Sequence, residues 1–223
     1  MIPWLKNVSL FENLSEEALE EVSHVTEMVT FYNGQSIFKD GDAADCLYVI
    51  VSGQVQIEKE FREQRRKVLA ILEAGDFFGE MAVITNAKRC ANATVSQEAV
   101  ILRLEKESFV EKMQGNALLC FEILQQVCRR LQVADTEIEN LSFQNVPGRI
   151  ASKILELGDQ FGEVATNGVA IALDITHATL SEMVGTNRET VSKYMSIFRR
   201  EGSIEYHNRR ITVVDRDKLN AWS

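Results

Sequence analysis

The sequence predicts an α+β fold in which a β-rich half leads into one long helix and then into a helix-turn-helix. Three observations predict it. Short β-rich runs broken by glycines fill residues 31–104, an apolar seam at heptad spacing occupies residues 113–141, and two short amphipathic helices meet at Gly185. Closely spaced strands with glycine punctuation are typical of a sandwich or roll. The expected domains are a β-roll at 1–112, a long helix and hinge at 113–144, and a winged helix-turn-helix at 145–223.

The composition is that of a globular protein, with 45% apolar and 26% charged residues. No run approaches the roughly 20 apolar residues that span a bilayer, and the first residues lack the features of a signal peptide. The sequence therefore predicts a soluble, cytoplasmic protein that stays off the membrane. It contains no nucleophile–base motif, P-loop or clustered metal ligands, so neither catalytic residues nor a metal site are expected.

The N-terminal half should begin with a helix in the segment Leu10–Leu19. Ser15 can cap it, and Glu16 and Glu17 suit its first turn because the helix dipole favours acids there. The strands that follow are predicted at Cys46–Val51, Gly53–Ile57, Val68–Leu72 and Val95–Leu104, with turns at Gly34, Gly41–Asp42, Ser52–Gly53 and Gly75–Asp76.

The long helix carries a narrow apolar seam that alternates spacings of four and three residues. Its members are Met113, Ala117, Cys120, Leu124, Val127, Leu131, Ala134, Ile138 and Leu141. This spacing is the signature of a coiled-coil stripe. Because the chain has one such helix, its partner should be the same helix of a second copy in a two-fold homodimer. An ordinary amphipathic helix is the alternative.

A break at residues 144–148 precedes the C-terminal part, and Pro147 suits the first turn of a new helix. The elements expected after it are a helix to Leu157, a loop at Phe161–Gly168, a strand at Val169–Leu173, helices at Thr176–Met183 and Asn187–Glu201, and a hairpin at Ser203–Val214 with Asn208 in its turn.

Charge is unevenly distributed along the chain. Residues 147–223 hold ten basic and ten acidic side chains, so the net charge of −9 belongs to residues 1–146. The segment from Arg188 to Arg210 contains six basic residues and three acidic ones. A local positive face is what attraction to phosphate requires, whatever the charge elsewhere. The C-terminal part is therefore expected to bind DNA.

The second helix of the predicted helix-turn-helix has two faces. Val191, Tyr194, Met195 and Phe198 form the packing face, and at about 100° per residue the opposite face carries Arg188, Glu189, Ser192 and Lys193. Arginine can grip guanine and glutamate can accept from cytosine, so this face should read bases. Thr176, which also caps the first helix, and the phosphate ligands Arg199, Arg200, Arg209 and Arg210 complete the expected DNA-binding set. A solvated surface helix is the alternative.

The chain resembles the CRP/FNR family of bacterial regulators over essentially its whole length. The motifs that carry the resemblance are Gly34-x-x-Ile37-Phe38-x-x-Gly41-Asp42, Arg129–Val133, Gly148–Ala151 and Arg188–Val191. The resemblance implies a roll like that of cyclic-nucleotide-binding domains, a homodimer on palindromic double-stranded DNA, transcription activation and contact with RNA polymerase.

The segment Gly75–Glu80, followed by Arg89, is similar to the phosphate-binding cassette of cyclic-nucleotide domains. The resemblance assigns Glu80 to the ribose hydroxyl and Arg89 to the cyclic phosphate. The remaining members of the expected effector site are Phe78, Gly79, Met81, Cys90, Ala134 and Asp135. The expected effector is cAMP first and cGMP second, with no cofactor required. The alternative is an internal Glu80–Arg89 ion pair in a roll that binds no nucleotide.

Other effectors and roles stay open at this point. No cysteine precedes Cys46, unlike in the iron–sulfur members, and His24 is the only histidine before His177, which disfavours haem. The four cysteines, Cys46, Cys90, Cys120 and Cys128, form no C-x-x-C pair and are expected to be free thiols. A disulfide through Cys120 across the seam would make a redox-responsive regulator. A cyclic-nucleotide module that controls another protein is the remaining alternative.

Overall fold

The computed structural model describes residues 8, 11, 15–61 and 66–223, without the side chains of Ala18 and Glu21. The predicted helix start at Leu10 therefore lies outside the described residues. The chain divides into two compact units, residues 1–131 and 132–223. Within the described ranges no helix is both long enough and apolar enough to cross a membrane.

The first unit is built around an antiparallel sheet of order β1-β6-β3-β4, with β2 paired to β6 and β5 paired to β3. Its elements are α1 Glu16–His24, β1 Thr26–Phe31, β2 Ser36–Phe38, β3 Cys46–Glu60, β4 Arg66–Leu72, β5 Phe77–Phe78, α2 Glu80–Ile84, β6 Asn92–Glu105 and α3 Lys106–Gly115.

Two buried clusters lie on the two faces of these strands because side chains alternate along a strand. Leu47 and Val49 of β3 pack against helical residues such as Phe109. Tyr48 and Ile50, one position over, point into the other cluster, which fills the roll. The cassette strand β5 divides in the same way, with Phe77 in the first cluster and Phe78 in the second.

The predicted turn at Ser52–Gly53 was wrong, since β3 continues through both residues. The register with β6 shifts on both sides of Ser52, which marks a bulge. Gly53 has a φ of +85°, and a Cβ there would lie 2.0 Å from the carbonyl oxygen of Glu98. Only glycine fits this close approach, so the signal read as a turn belongs to a bulge.

The apolar seam predicted a helix that begins at Met113. The long helix α4 instead spans Ala117–Phe143. Asn116 has an extended backbone, and its side-chain oxygen accepts from the amides of Leu118 and Leu119, both at 3.1 Å. The helix therefore starts with a side-chain cap at Asn116, and Met113 belongs to α3.

The second unit combines four helices that follow α4 with a sheet of order β7-β8-β10-β9. These elements are α5 Val146–Phe161, β7 Gly162–Ala165, β8 Gly168–Ile171, α6 His177–Val184, α7 Arg188–Arg200, β9 Ile204–His207, β10 Arg210–Val213 and α8 Arg216–Asn220. The expected helix start at Pro147 is confirmed, with Asn145 accepting from the amide of Gly148 at 2.9 Å. The predicted loop at Phe161–Gly168 was wrong, because buried Phe161 extends α5 and β7 follows directly.

Local signals account for the helix-turn-helix. Thr176 caps α6 by accepting from the amide of Thr179 at 3.0 Å, and Asn187 caps α7 by accepting from Thr190 at 2.8 Å. Gly185, with a φ of +72°, ends α6 in the left-handed conformation, which glycine adopts without strain. The predicted hairpin is confirmed as β9 and β10.

Candidate functional site

The cassette is a tight connection between β5 and α2 that turns at Gly79. This glycine has a φ of +83°, and a Cβ on it would lie 2.5 Å from Nη1 of Arg89. Both the backbone conformation and the close approach of the arginine therefore require glycine. The result is a backbone turn held directly against a guanidinium.

Arg89 is almost wholly buried, with 1% of its side chain exposed. Nη1 donates to the carbonyl oxygen of Gly79 at 2.9 Å, and Nη2 donates to the carbonyl of Cys46. The guanidinium carbon lies 4.3 Å from the centre of the Phe38 ring, a cation–π distance. Nε has no hydrogen-bond partner among the described residues. Arg89 is thus a buried cation that donates to two backbone carbonyls and lies 3.9 Å from a carboxylate oxygen of the exposed Asp45.

Glu80 is also buried, but its partner is Arg130 of α4. Nη1 of Arg130 lies 2.6 Å from the Glu80 carboxylate, and Nη2 donates to the carbonyl of Phe77. The alternative of an internal Glu80–Arg89 ion pair is therefore wrong, since the hydrogen bonds of Arg89 go to backbone carbonyls. Through Glu80, the cassette is tied to the long helix.

The other predicted effector residues lie in different surroundings. Phe78 is buried and stacks on Tyr48 with ring centres 5.2 Å apart, whereas Met81 is 55% exposed. Cys90 is exposed, and its carbonyl accepts from Lys59 at 2.8 Å. Ala134 and Asp135, further along the chain on α4, are both exposed.

Sequence reasoning missed two functional contributions in this region. Arg130 lies off the apolar seam. Because it pairs with Glu80, 50 positions away, no local residue spacing predicts the ion pair. Phe38 and Tyr48 face Arg89, a contact for which no role was predicted from the sequence. Arg130 is one of several charged residues of α4, so the sequence alone fits a surface arginine equally well.

In the second unit, α7 presents the two faces that its periodicity predicted. Val191, Met195 and Phe198 are buried, and Tyr194 is half-buried and 6.3 Å from the Phe198 ring. Arg188, Glu189 and Lys193 are exposed on the other side. These three side chains are available to a base edge without rearrangement.

Ser192 differs from its neighbours because its hydroxyl lies 2.8 Å from Nδ1 of His177. The His177 ring in turn stacks on Tyr206 of β9 at 4.9 Å, and the Tyr206 hydroxyl donates to the carbonyl of Ile175. Burial, helped by the charge of Arg188, lowers the pKa of His177. The His177 imidazole thus contacts both α7 and the hairpin from its place in α6.

The predicted phosphate ligands lie around this helix. Arg199 and Arg200 are exposed at the end of α7, and Arg209 and Arg210 are exposed at the hairpin turn. Arg209 has a φ of +67°, and Arg210 is loosely paired with Asp174 at 3.5 Å. Thr176 is half-buried as the cap of α6. All four arginines belong to the same compact unit as α7.

The predicted seam of α4 is largely exposed in the single chain. Leu119 and Ile123 pack into the first unit, whereas the seam residues Leu124, Leu131 and Ile138 are 57, 60 and 62% exposed. Most of the other seam residues are exposed as well, namely Ala117, Val127, Ala134 and Leu141. The remaining two, Met113 and Cys120, are half-buried. The helix therefore carries an apolar stripe distinct from the face that packs into the roll.

Both halves of the chain match known families. Residues 28–116 match the family described as cyclic nucleotide-binding domain, and residues 148–222 match the Crp-like helix-turn-helix domain. A CRP-like cAMP-activated global transcriptional regulator of Mycobacterium tuberculosis is 26% identical over 215 residues, 96% of each chain. The cyclic AMP receptor protein of Thermus thermophilus is 28% identical over 90% of this chain and 89% of its own length.

Solved structures agree with these matches. A transcriptional regulator from Thermus thermophilus, described as CRP/FNR family, is 27% identical with a TM-score of 0.72 over 88% of this chain and 97% of its own. The c-di-GMP responsive global regulator of Xanthomonas campestris has a TM-score of 0.79 over 89% and 99% of the two chains, at 21% identity, a likeness of fold alone. The similar proteins are regulators rather than enzymes.

Proposed function

Since the chain belongs to the CRP/FNR family of transcription regulators, we propose that it is a homodimer whose DNA affinity is controlled by a cyclic nucleotide, cAMP in preference to cGMP. The proposed effector site is the cassette from Phe78 to Cys90, and the membership of Ala134 and Asp135 stays a prediction. The DNA site is the exposed face of α7. As a DNA-binding regulator, it is proposed to act in the cytoplasm.

The observation that carries the effector proposal is the state of Arg89. Its guanidinium is buried and donates to two backbone carbonyls, the nearest carboxylate oxygen, on Asp45, is 3.9 Å away, and Nε has no hydrogen-bond partner among the described residues. A cyclic phosphate would give this cation a charge-assisted partner. Two relatives named for cAMP, from Mycobacterium tuberculosis and Thermus thermophilus, support the choice of nucleotide.

The Glu80–Arg130 pair supplies a physical route from the cassette to α4. A ribose hydroxyl that donates to Glu80 must share that carboxylate with Arg130, so a bound nucleotide bears on the position of the helix. An effector changes DNA affinity only to the extent that it binds one helix arrangement better than another. A coupling of about 1–3 kcal/mol corresponds to about a 5- to 150-fold change in DNA affinity.

The exposed stripe of α4 supports the dimer. Burying its leucines and isoleucine against a second copy would remove from water apolar surface that a lone chain leaves exposed. Leu131→Glu should place like charges opposite each other in that seam, where desolvation is expensive, and should yield monomers in ultracentrifugation. Glu139→Gln, an exposed change off the seam, is the control.

A two-fold dimer would place two α7 helices on inverted half-sites about 34 Å apart. Arg188, Glu189, Lys193 and Ser192 are the proposed base-reading residues, with Thr176 and the arginines at 199, 200, 209 and 210 on phosphates. We also propose RNA polymerase as a further partner, because a protein that regulates transcription acts on that enzyme directly or indirectly. A mobility-shift assay on genomic fragments that gave no selective shift would contradict the DNA role.

Calorimetry of purified protein, stripped of bound ligand, tests the effector. We expect heat with cAMP, weaker binding of cGMP, loss of both in Arg89→Leu and retention in Lys88→Leu, which changes the exposed neighbour. The Xanthomonas campestris regulator is named for c-di-GMP, so that nucleotide belongs in the same titration. Absence of heat with cAMP and cGMP at millimolar concentration would reject the proposed effector.

A further inference from the structure

Two serines one turn apart on α7 use their hydroxyls in different ways. Ser196 donates to the carbonyl of Ser192, four residues earlier, at 2.9 Å, just as Ser142 of α4 donates to the carbonyl of Ile138 at 2.7 Å. Such back-bonding is a common use of a serine hydroxyl inside a helix. The Ser192 hydroxyl instead lies 2.8 Å from Nδ1 of His177 in α6. A side chain outside α7 therefore decides how this hydroxyl is oriented.

The imidazole of His177 is also held by the hairpin. Its ring stacks on Tyr206 of β9 with the ring centres 4.9 Å apart, and the Tyr206 hydroxyl donates to the carbonyl of Ile175 at 3.1 Å. His177 is the first residue of α6, directly after the cap Thr176. The stacking and the capped helix start restrict the ring, so Nδ1 stays opposite the Ser192 hydroxyl.

The two nitrogens of the His177 ring have different surroundings. Nε2 is buried and has no hydrogen-bond partner in the part of the chain that the structure describes. Burial, together with the charge of Arg188, lowers the pKa of His177 below 6.5, so near neutral pH the ring has one N–H. On Nε2 this would be a buried N–H without an acceptor, which proteins rarely contain. On Nδ1 it is satisfied by the oxygen of Ser192, so His177 is the donor of this hydrogen bond.

A hydroxyl that accepts from His177 keeps its own proton for another partner, because a serine hydroxyl can donate once and also accept. Ser192 is half-buried, and its neighbours one turn away on either side, Arg188 and Ser196, are exposed. It therefore lies in the row of side chains that α7 exposes. In the major groove, adenine and guanine both present N7 as an acceptor, whereas cytosine presents an N–H donor. The free proton of Ser192 thus suits a purine.

We propose that His177 is a positioning residue for DNA specificity, which makes the Ser192 hydroxyl a donor to N7 of a purine by donating to its oxygen. This inference rests on the proposed DNA role of α7. If Ser192 gave its proton to His177 instead, it could only accept, and it would select the N–H groups of adenine or cytosine. Without His177, the hydroxyl would turn to the carbonyl of Arg188, four residues earlier, as that of Ser196 turns to Ser192. The residue at position 177 therefore determines what Ser192 reads.

Gel-shift titrations of the full-length protein, with and without cAMP, test the proposal on a duplex that the protein has selected from randomised half-sites. Each purine is replaced in turn by its 7-deaza analogue, which lacks the N7 acceptor. We expect one purine of each half-site at which this replacement weakens wild-type binding about fivefold, the value of one hydrogen bond, and at which Ser192→Ala removes the sensitivity. Ser196→Ala, one turn further along the same helix, is the matched control and should preserve it.

The His177 variants separate positioning from a structural role. His177→Phe keeps a ring that can stack on Tyr206 but cannot donate, so it should lose the same N7 sensitivity as Ser192→Ala. His177→Asn has an amide N–H in the place of Nδ1 and should retain the sensitivity. Ser192→Ala leaves the imidazole in place, so it decides the reading independently of how stable His177→Phe is.

Three results would overturn the proposal while the DNA role stands. One is a Ser192→Ala profile identical to that of the wild type. Another is a uniform loss of affinity in His177→Phe with the N7 sensitivity retained, which would show that His177 only supports the fold. The third is a Ser192-dependent sensitivity to a neutral methylphosphonate rather than to 7-deazapurines, which would place the hydroxyl on a phosphate. Absence of any selective binding by the wild type would instead reject the DNA role, and the inference with it.

Discussion

The cassette and the recognition helix both rely on arginines, but they hold them in opposite ways. Arg89 is buried and already donates to two carbonyls, whereas Arg188 is exposed at the start of α7. Under the proposed function, a ligand at the cassette would have to replace existing contacts, whereas DNA would meet side chains that are already exposed. Substitutions in the cassette should therefore change both stability and ligand binding, whereas substitutions of the exposed residues of α7 should change DNA binding alone.

The largest expected effect lies in the cassette. Arg130→Ala leaves the buried Glu80 carboxylate without its ion-pair partner. This should lower the free energy of unfolding by about 3 kcal/mol. The value is the lower end of the range for a broken buried pair, because Arg130 is itself partly exposed. Urea unfolding measures the loss. Arg129→Ala, beside it and exposed, is the matched control and should change stability little. Equal effects of the two variants would contradict the structural role of the pair.

The recognition helix should show the reverse pattern. Arg188→Ala is expected to cost about 1–3 kcal/mol in DNA affinity and to relax selection at one base pair, with the unfolding midpoint unchanged. Arg209→Ala should weaken binding to all sequences alike and flatten the salt dependence. Competition binding on randomised half-sites separates the two results. Unchanged base preference in Arg188→Ala would mean that another face of α7 meets the bases.

Two glycines with similar backbone angles sharpen the same contrast. A Cβ at Gly79 would lie 2.5 Å from Arg89, whereas a Cβ at Gly185 would have no atom within 4 Å. Both alanine variants carry the strain of a positive φ, about 1 kcal/mol. Gly79→Ala must also displace a buried guanidinium, so it should cost about 2 kcal/mol of stability and impair nucleotide binding. Thermal unfolding with and without cAMP compares them, and equal losses would show that Arg89 moves aside freely.

How far the sequence predicted each region follows from the range of the interactions involved. The cap at Thr176 and the turn at Gly185 depend on residues a few positions apart, so both were predicted from the sequence and both are confirmed. The bulge at Gly53 depends on the distant Glu98 backbone, and a glycine in a strand looks like a turn when that neighbour is unknown.

The cassette shows the same limit for charged residues. The positions of Glu80 and Arg89 follow from the resemblance, but their partners do not. Arg130 and the carbonyl of Cys46 are 50 and 43 positions away from Glu80 and Arg89, and only the folded chain brings them together. Where a charge is buried, its partner is decided by tertiary contacts, and residue spacing carries little information about it.

The smallest expected effect is the pH dependence of the free energy of unfolding that His177 causes. It tests whether the second unit, like the cassette, contains a side chain that affects stability because it is buried. Burial lowers the pKa of His177 below its usual 6.5, so the unfolded chain binds more protons than the folded one as the pH falls through that value. Its contribution to stability is complete above this pH and is lost on acidification.

His177→Gln, whose amide can still bond Ser192, should therefore lose less stability than the wild type between about pH 7.5 and about pH 5.5. The exposed variant His207→Gln is the control, and the remaining carboxylates are common to all three proteins. Urea midpoints across this range provide the measurement. Parallel pH profiles for His177→Gln and the wild type would mean that His177 accepts a proton in place, leaving α7 and the hairpin joined as before.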